Sequence, residues 1–247
     1  MNNNKIQFSI DSYAAWAPGI ETDDAWLAWA KDEYLISGSN QPPVKNMTPM
    51  LRRRAGFAAK MAIEVAYRCL ENRTNVPLVF SSRHGEATRS AELLSDLTRG
   101  SPLSPTSFGL SVHNAPAGLF SIARADHANS AALAAGRSSV ENAVIEACGL
   151  IAEGAPEVLL VVYDCPLPEV YADFQDCFEQ PYAWAWLMRS AKGDFYSLRW
   201  SADKDTASLG AQRLSGGLEI LRFHLRGDAI LDRRCNKRRW RWTHHAA

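Results

Sequence analysis

Apolar residues recur at helical spacing in several stretches of the chain. From Met50 to Glu71, Ala58, Met61, Ala62, Val65, Ala66 and Cys69 follow one another at steps of three and four, which predicts a helix. Asp23 to Tyr34 predicts another, with Trp26, Leu27 and Trp29 on its apolar side, and the Ser, Gly and Pro content of Ser37 to Pro43 marks a loop after it. Val76 to Phe80 reads as a short buried strand and Ala87 to Leu97 as the helix that follows. Pro102, Pro105 and Gly109 break the next region, before a short helix over Ala117 to Arg124. The small apolar run Ala131 to Ala135 predicts a strand that packs closely against another backbone.

The clearest helix starts at Ser138-Ser139-Val140-Glu141. This order predicts a capping box, with Ser138 as the cap and Glu141 reaching back. Val140, Ala143, Val144, Ala147 and Ile151 form its apolar stripe, and Gly154 and Pro156 end it. Val158 to Val162 is apolar without alternation, as in a sheet covered on both faces. Tyr182 to Met188 and Phe195 to Trp200 read as strands, and Leu209 to Phe223 as a helix weakened by Gly216-Gly217. Strands alternating with helices predict a layered α/β fold with a mixed sheet.

Composition narrows the function classes. Twenty-seven basic residues balance 27 acidic ones, so no overall field recruits nucleic acid or an anionic membrane. The N-terminus leads into no apolar signal segment, and no apolar run is long enough to span a bilayer, so a soluble, cytoplasmic protein is expected. Five widely spaced cysteines form no Cys-x-x-Cys pair, which predicts reduced thiols and neither a zinc site nor another cofactor. His244 and His245, beside the C-terminus, are expected to be disordered.

One group of motifs goes further. Ser104-Pro105-Thr106-Ser107-Phe108 precedes Ser111-Val112-His113-Asn114-Ala115-Pro116-Ala117-Gly118, then Ala131 to Ala135, the helix from Ser138 and the strand Val158 to Val162. In this order and spacing, the stretch from about Met50 to Pro168 resembles the N-terminal half of β-ketoacyl synthases of the thiolase superfamily. Arg52-Arg53-Arg54 and Ser82-Arg83-His84-Gly85-Glu86 narrow the resemblance to the chain-length-factor-like proteins of aryl-polyene-type pathways. It covers residues 1–190 and implies a thiolase-like half fold, truncated relative to full ketosynthases. Residues 191–247 would form an extension packed on it, with a basic tail from about 232.

The resemblance implies a catalytic site that is missing. A ketosynthase uses a cysteine at the start of a buried helix, where the helix dipole favours thiolate. Here that position falls on Arg137, or on Gly136 with the register shifted by one, and neither can attack a thioester. An arginine also carries the wrong sign for a helix N-terminus, so its guanidinium is expected on a carboxylate or in solvent. Cys148 lies too far into the helix to substitute. The family's two histidine-bearing glycine-rich turns do not occur, and arginine departs from the glutamine some relatives place at the cysteine position.

A non-catalytic subunit paired with an active β-ketoacyl-ACP synthase follows from the resemblance. Ala131, Ala132 and Leu133 would pair across the dimer axis, and Phe108, Leu110, His113, Asn114, Leu119 and Phe120 are candidates for the floor of the partner's acyl tunnel. Exposed sheet left by the truncation would be covered by the late tryptophans Trp184, Trp186, Trp200, Trp240 and Trp242, or they would dock on the partner. Arg83, His84 and Glu86 form either a functional loop or a hydrogen-bonded tie between strand and helix. The basic tail would either contact an acidic acyl carrier protein transiently or fray. The alternative from another class is a stand-alone acyl-thioester hydrolase or decarboxylase using His84 or His113.

Overall fold

The computed structural model describes residues 4–203, 213–235 and 237–247. Among these residues, eight strands form one mixed sheet in the order β3-β2-β4-β5-β1-β6-β8-β7. In chain order these are β1 (Lys5–Trp16), β2 (Leu78–Ser81), β3 (Ser130–Leu133), β4 (Val158–Asp164), β5 (Tyr182–Ser190), β6 (Phe195–Ala202), β7 (Ile230–Cys235) and β8 (Arg238–His245). β2 runs parallel to β3 and to β4, and the remaining pairs are antiparallel.

The helices are α1 (Asp23–Lys31), α2 (Pro49–Arg54), α3 (Phe57–Leu70), α4 (Ala87–Thr98), α5 (Pro105–Gly109), α6 (Ala115–Arg124), α7 (Ser139–Ala152) and α8 (Gly216–Arg226). They build a core on each side of the sheet. Val158, Leu160 and Val162 of β4 face the core that holds Trp26, Trp29, Val144, Trp184, Trp240 and Leu221. Leu159, Val161 and Tyr163 face the other, against α3 and Phe120 of α6. The unbroken apolar run of β4 is therefore the signature of double coverage.

Several local expectations change. β1 had no counterpart in the periodicity, because a register shift between Ile10 and Ser12 breaks the alternation: Phe8 faces one core and Ala14 and Trp16 the other. The single helix expected over Met50 to Glu71 is two, since Ala55 takes extended backbone and Gly56 begins α3. Leu27 is not on the buried side of α1, whose interior residues are Trp26, Trp29 and Ala30. The strand expected to reach Ala135 ends at Leu133, before Gly136 turns at φ +56°. The start predicted at Leu209 for the last helix lies outside the described residues.

The capping box does not form: Ser138 makes no cap hydrogen bond. Its Oγ accepts the indole N–H of Trp240 at 3.2 Å and lies 3.1 Å from Cys235 Sγ. Glu141 is engaged elsewhere, in a fully buried ion pair with Arg233. Ser139 closes the turn instead, accepting from the Ala135 N–H at 3.0 Å and donating to the Gly136 carbonyl at 2.7 Å.

The described strands beyond residue 190 are built into the sheet, with β6 beside β1 in register from Lys5↔Arg199 to Phe8↔Tyr196. His244 and His245, expected to be disordered, lie in β8 opposite Tyr196 and Phe195. The basic segment is likewise strand and turn, not a frayed tail. Trp184, Trp186, Trp240 and Trp242 are fully buried, so they cover sheet. The opposite face of β6 and β8 is open, with Arg199, Ser201, Arg239 and Arg241 exposed.

Gly216 and Gly217 have a packing reason. A Cβ on Gly216 would meet the Arg233 guanidinium and one on Gly217 the Tyr182 hydroxyl, both far inside contact distance. The helix gives up propensity at its first turn to let β5 and β7 side chains approach its backbone.

Candidate functional site

The start of α7 lies beside the carboxyl ends of β2 and β4, the usual place for ligand sites in parallel sheet. There the backbone turns through Gly136, Arg137 and Ser138. Arg137 points at Asp176, with Nε 3.9 Å from the carboxylate. Arg83 reaches the same carboxylate at 3.0 Å and donates to Cys177 Sγ at 3.4 Å. Two guanidinium groups thus converge on one aspartate. The cavity between Arg83, Arg137, Ser139, Asp164 and Tyr182 holds about 10 Å³, room for roughly one water. The turn at this helix start thus carries an arginine held toward an acidic loop, beside a space too small for an acyl group.

The loop after β2 is tied together through Asp164, the last residue of β4. Its Oδ1 accepts from Ser82 Oγ at 2.7 Å and from the Arg83 N–H at 2.8 Å, and its Oδ2 from Tyr182 Oη at 3.2 Å. Burial raises the Asp164 carboxyl above its ordinary value, and the Ser82 hydroxyl and the Arg83 N–H pull against that. Ser82 Oγ in turn accepts from the Gly85 N–H at 2.8 Å. His113 Nε2 lies 3.0 Å from the Ser82 carbonyl oxygen, and its ring packs so closely on Gly85 that no Cβ fits there.

His84 Nε2 lies 2.8 Å from Glu179, whose other oxygen accepts the Leu167 N–H at 2.7 Å. His84 also lines a groove of about 500 Å³ with Phe57, Ala58, Glu86, Arg89 and Cys165. Glu86 is buried against the start of α3, which raises its carboxyl pKa, and Arg89 stands 3.7 Å away. Burial drives the Cys165 thiol far above its ordinary value, so it stays protonated.

The remaining residues singled out by sequence divide into two groups. Phe108 on α5 is exposed, Asn114 is exposed just ahead of α6, and Ala131, Ala132 and Leu133 lie half-buried on β3, a sheet edge. Leu119 and Phe120 are inside the chain's own core, with Phe120 4.9 Å from Tyr67 between ring centroids. Leu110 is half-buried against that core. Sequence reasoning missed Asp176, Glu179 and Asp164, which organise these loops from a distance. It placed the helix α4 but not its exposure: α4 has no buried residue, and Leu94 and Leu97 on it are exposed.

One mixed sheet between helical layers is a thiolase-like fold. The family described as "Beta-ketoacyl synthase, N-terminal domain" matches residues 26–243, and the chain belongs to that family. Among solved structures it is similar to a chain in the complex of the ketosynthase ApeO with its chain length factor ApeC from Xenorhabdus doucetiae. That match is 25% identical, with a TM-score of 0.82, over 96% of this chain and 99% of the other. The ishigamide ketosynthase/chain length factor shares the fold at TM-score 0.65 and 14% identity, over 81% of this chain and 69% of that one. A β-ketoacyl synthase from Burkholderia phymatum STM815 matches at TM-score 0.55 and 13% identity, over 75% of this chain and only 59% of that one. No curated protein matches the chain. Among the described residues no helix is long and apolar enough to cross a membrane.

Proposed function

We propose that this chain is the non-catalytic, chain-length-factor-like subunit of a cytoplasmic heterodimer with an active β-ketoacyl-ACP synthase, in polyene- or fatty-acid-type biosynthesis. The observation that carries the reading is the surface around β3. β3 is a four-residue strand whose outer edge is unpaired among the described residues. α6 packs against β3 and carries the exposed Ile122, while α4, packed on α5, buries no residue and leaves Leu94 and Leu97 exposed, as are Phe108 on α5 and Val112 after it. An unpaired edge next to apolar helices is the pattern of an association surface. The likeness to a chain of the ApeO–ApeC complex supports a partner of the ketosynthase class.

In this reading Phe108 and Leu110 face the partner's acyl tunnel, while Leu119 and Phe120 back them from the core. Side-chain volume at the exposed positions then limits how many carbons fit, since overfilling a packed pocket costs about 1–3 kcal/mol. The filled space at Arg137 supports a silent site. The His84–Glu179 pair beside its groove is what a hydrolase reading would use, but the neighbouring thiol of Cys165 is held protonated. Co-expression with a synthase subunit from the same host, followed by mass measurement of the purified species, tests the proposal. A one-to-one complex is expected; a monomer with no affinity for any synthase, or acyl-thioester turnover lost in His84→Ala, would overturn it.

A further inference from the structure

The open face of the C-terminal strands carries an unusual row. Lys5 of β1 is directly opposite Arg199 of β6, Arg199 is opposite Arg241 of β8, and Arg241 is opposite Asp232 of β7. Directly opposed residues stand about 5 Å apart, and like charges at that spacing destabilise a sheet. Three cations therefore share one line across four strands with a single carboxylate at its end. That carboxylate is committed to Arg241, which donates to Asp232 through Nε at 2.7 Å and through a second nitrogen at 2.8 Å. Among the described residues neither Lys5 nor Arg199 has an ion-pair partner.

The neighbouring row is different. Arg234 and Arg239 are also opposed, but Asp203 lies between them, 2.6 Å from one guanidinium and 3.0 Å from the other. Like-charge contact on this face is thus neutralised in one row and left standing in the next. The uncompensated row borders an open hollow of about 400 Å³ lined by Lys5, Arg199, Asp232, Arg239 and Arg241. Net charge over the whole chain is zero, so the excess is local.

We infer that this strand face is a docking surface for an acidic protein, and that its occupant is the acyl carrier protein serving the complex. The choice of occupant rests on the function proposed above. The flat open strands and the carboxylate at the end of the row fit a protein surface with a few placed carboxylates better than a continuous polyanion. Docking supplies the counter-charges the row lacks, and it explains why the fold tolerates the repulsion.

Labelled acyl carrier protein from the same host, titrated at low and at high salt, tests the inference. The chain is used in its synthase complex where that complex forms, and alone otherwise, so loss of the synthase reading does not remove the test. Arg199→Glu is expected to raise the dissociation constant about tenfold and to flatten its salt dependence. It is also expected to raise the unfolding temperature, because it ends the repulsion with Lys5 and Arg241. A misfolded variant would instead melt lower, and Lys5→Glu then provides the same reading from the other side of the row. Unchanged affinity in both folded variants would overturn the inference. So would equal binding of a short DNA duplex that Arg199→Glu abolishes, which would mark the face as a general polyanion binder.

Discussion

Arg233 on β7 is held in a fully buried ion pair with Glu141, in the first turn of α7, and donates to Glu219 of α8 at 2.7 Å. Burial alone would lower the pKa of this guanidinium, but the two carboxylates outweigh it and keep the group charged. One side chain from the C-terminal strands thereby joins the start of the helix that would carry the family's nucleophile to the last helix. Removing it leaves a buried carboxylate uncompensated. Arg233→Met is expected to cost about 3–5 kcal/mol in urea denaturation, and pairing it with Glu141→Leu should recover most of that loss.

The approach of Tyr182 to Gly217 leaves no room for a methyl group. Gly217→Ala places a Cβ against the hydroxyl and the ring carbons alike, so destabilisation of about 1–3 kcal/mol is expected. Tyr182→Phe in the same background should not restore stability, because the ring carbons still collide and Asp164 loses a donor. Full rescue in a thermal melt would show that the hydroxyl alone sets the spacing.

His224 supplies a pH dependence. Burial lowers its pKa from 6.5 to about 4, the neighbouring His244 adds to the shift, and Asp194 opposes it. Nδ1 lies 2.9 Å from the Tyr196 hydroxyl. The unfolded chain takes up this proton near pH 6.5 and the folded one only near 4. The contribution to stability is therefore complete above pH 6.5, declines as the pH falls between those values, and stays lost below. Its full size is about 3 kcal/mol. The stability of His224→Phe relative to the native chain, followed over that interval, should rise as the pH falls. A constant difference would contradict the assignment.

Leu94 and Leu97 separate folding from association. Both are more than half exposed on a helix that buries nothing, so Leu94→Asp and Leu97→Asp should change chain stability by less than about 0.5 kcal/mol. Affinity for a synthase partner should fall at least about tenfold, read by titration calorimetry. Equal affinity in both variants would move the interface away from α4.

Most helices were readable because each carries its own apolar period. β1 was not, since its bulge sends Phe8 and Ala14 to opposite cores and hides the alternation. The residues at the start of α7, Gly136-Arg137-Ser138, were readable as the place to compare with the family once the order of motifs placed them. The fate of the side chains there was not: Ser138 and Glu141 have the types and spacing of a capping box, yet Trp240 and Arg233, about a hundred residues later, take both side chains. Local rules assume that a polar side chain is free to serve its own turn, and here a distant strand competes for it and wins.

The sequence by itself determined the layered class of the fold, the doubly covered strand at β4 and the absence of a thiol at the start of α7, because these follow from short-range periodicity and residue identity. Only the tertiary structure decided that β6, β7 and β8 join the sheet, that β3 is its edge among the described residues, and that Lys5, Arg199 and Arg241 share one row. Strand order and register pair residues nearly two hundred positions apart. They are set by which faces bury together across the whole chain, a condition no local window contains.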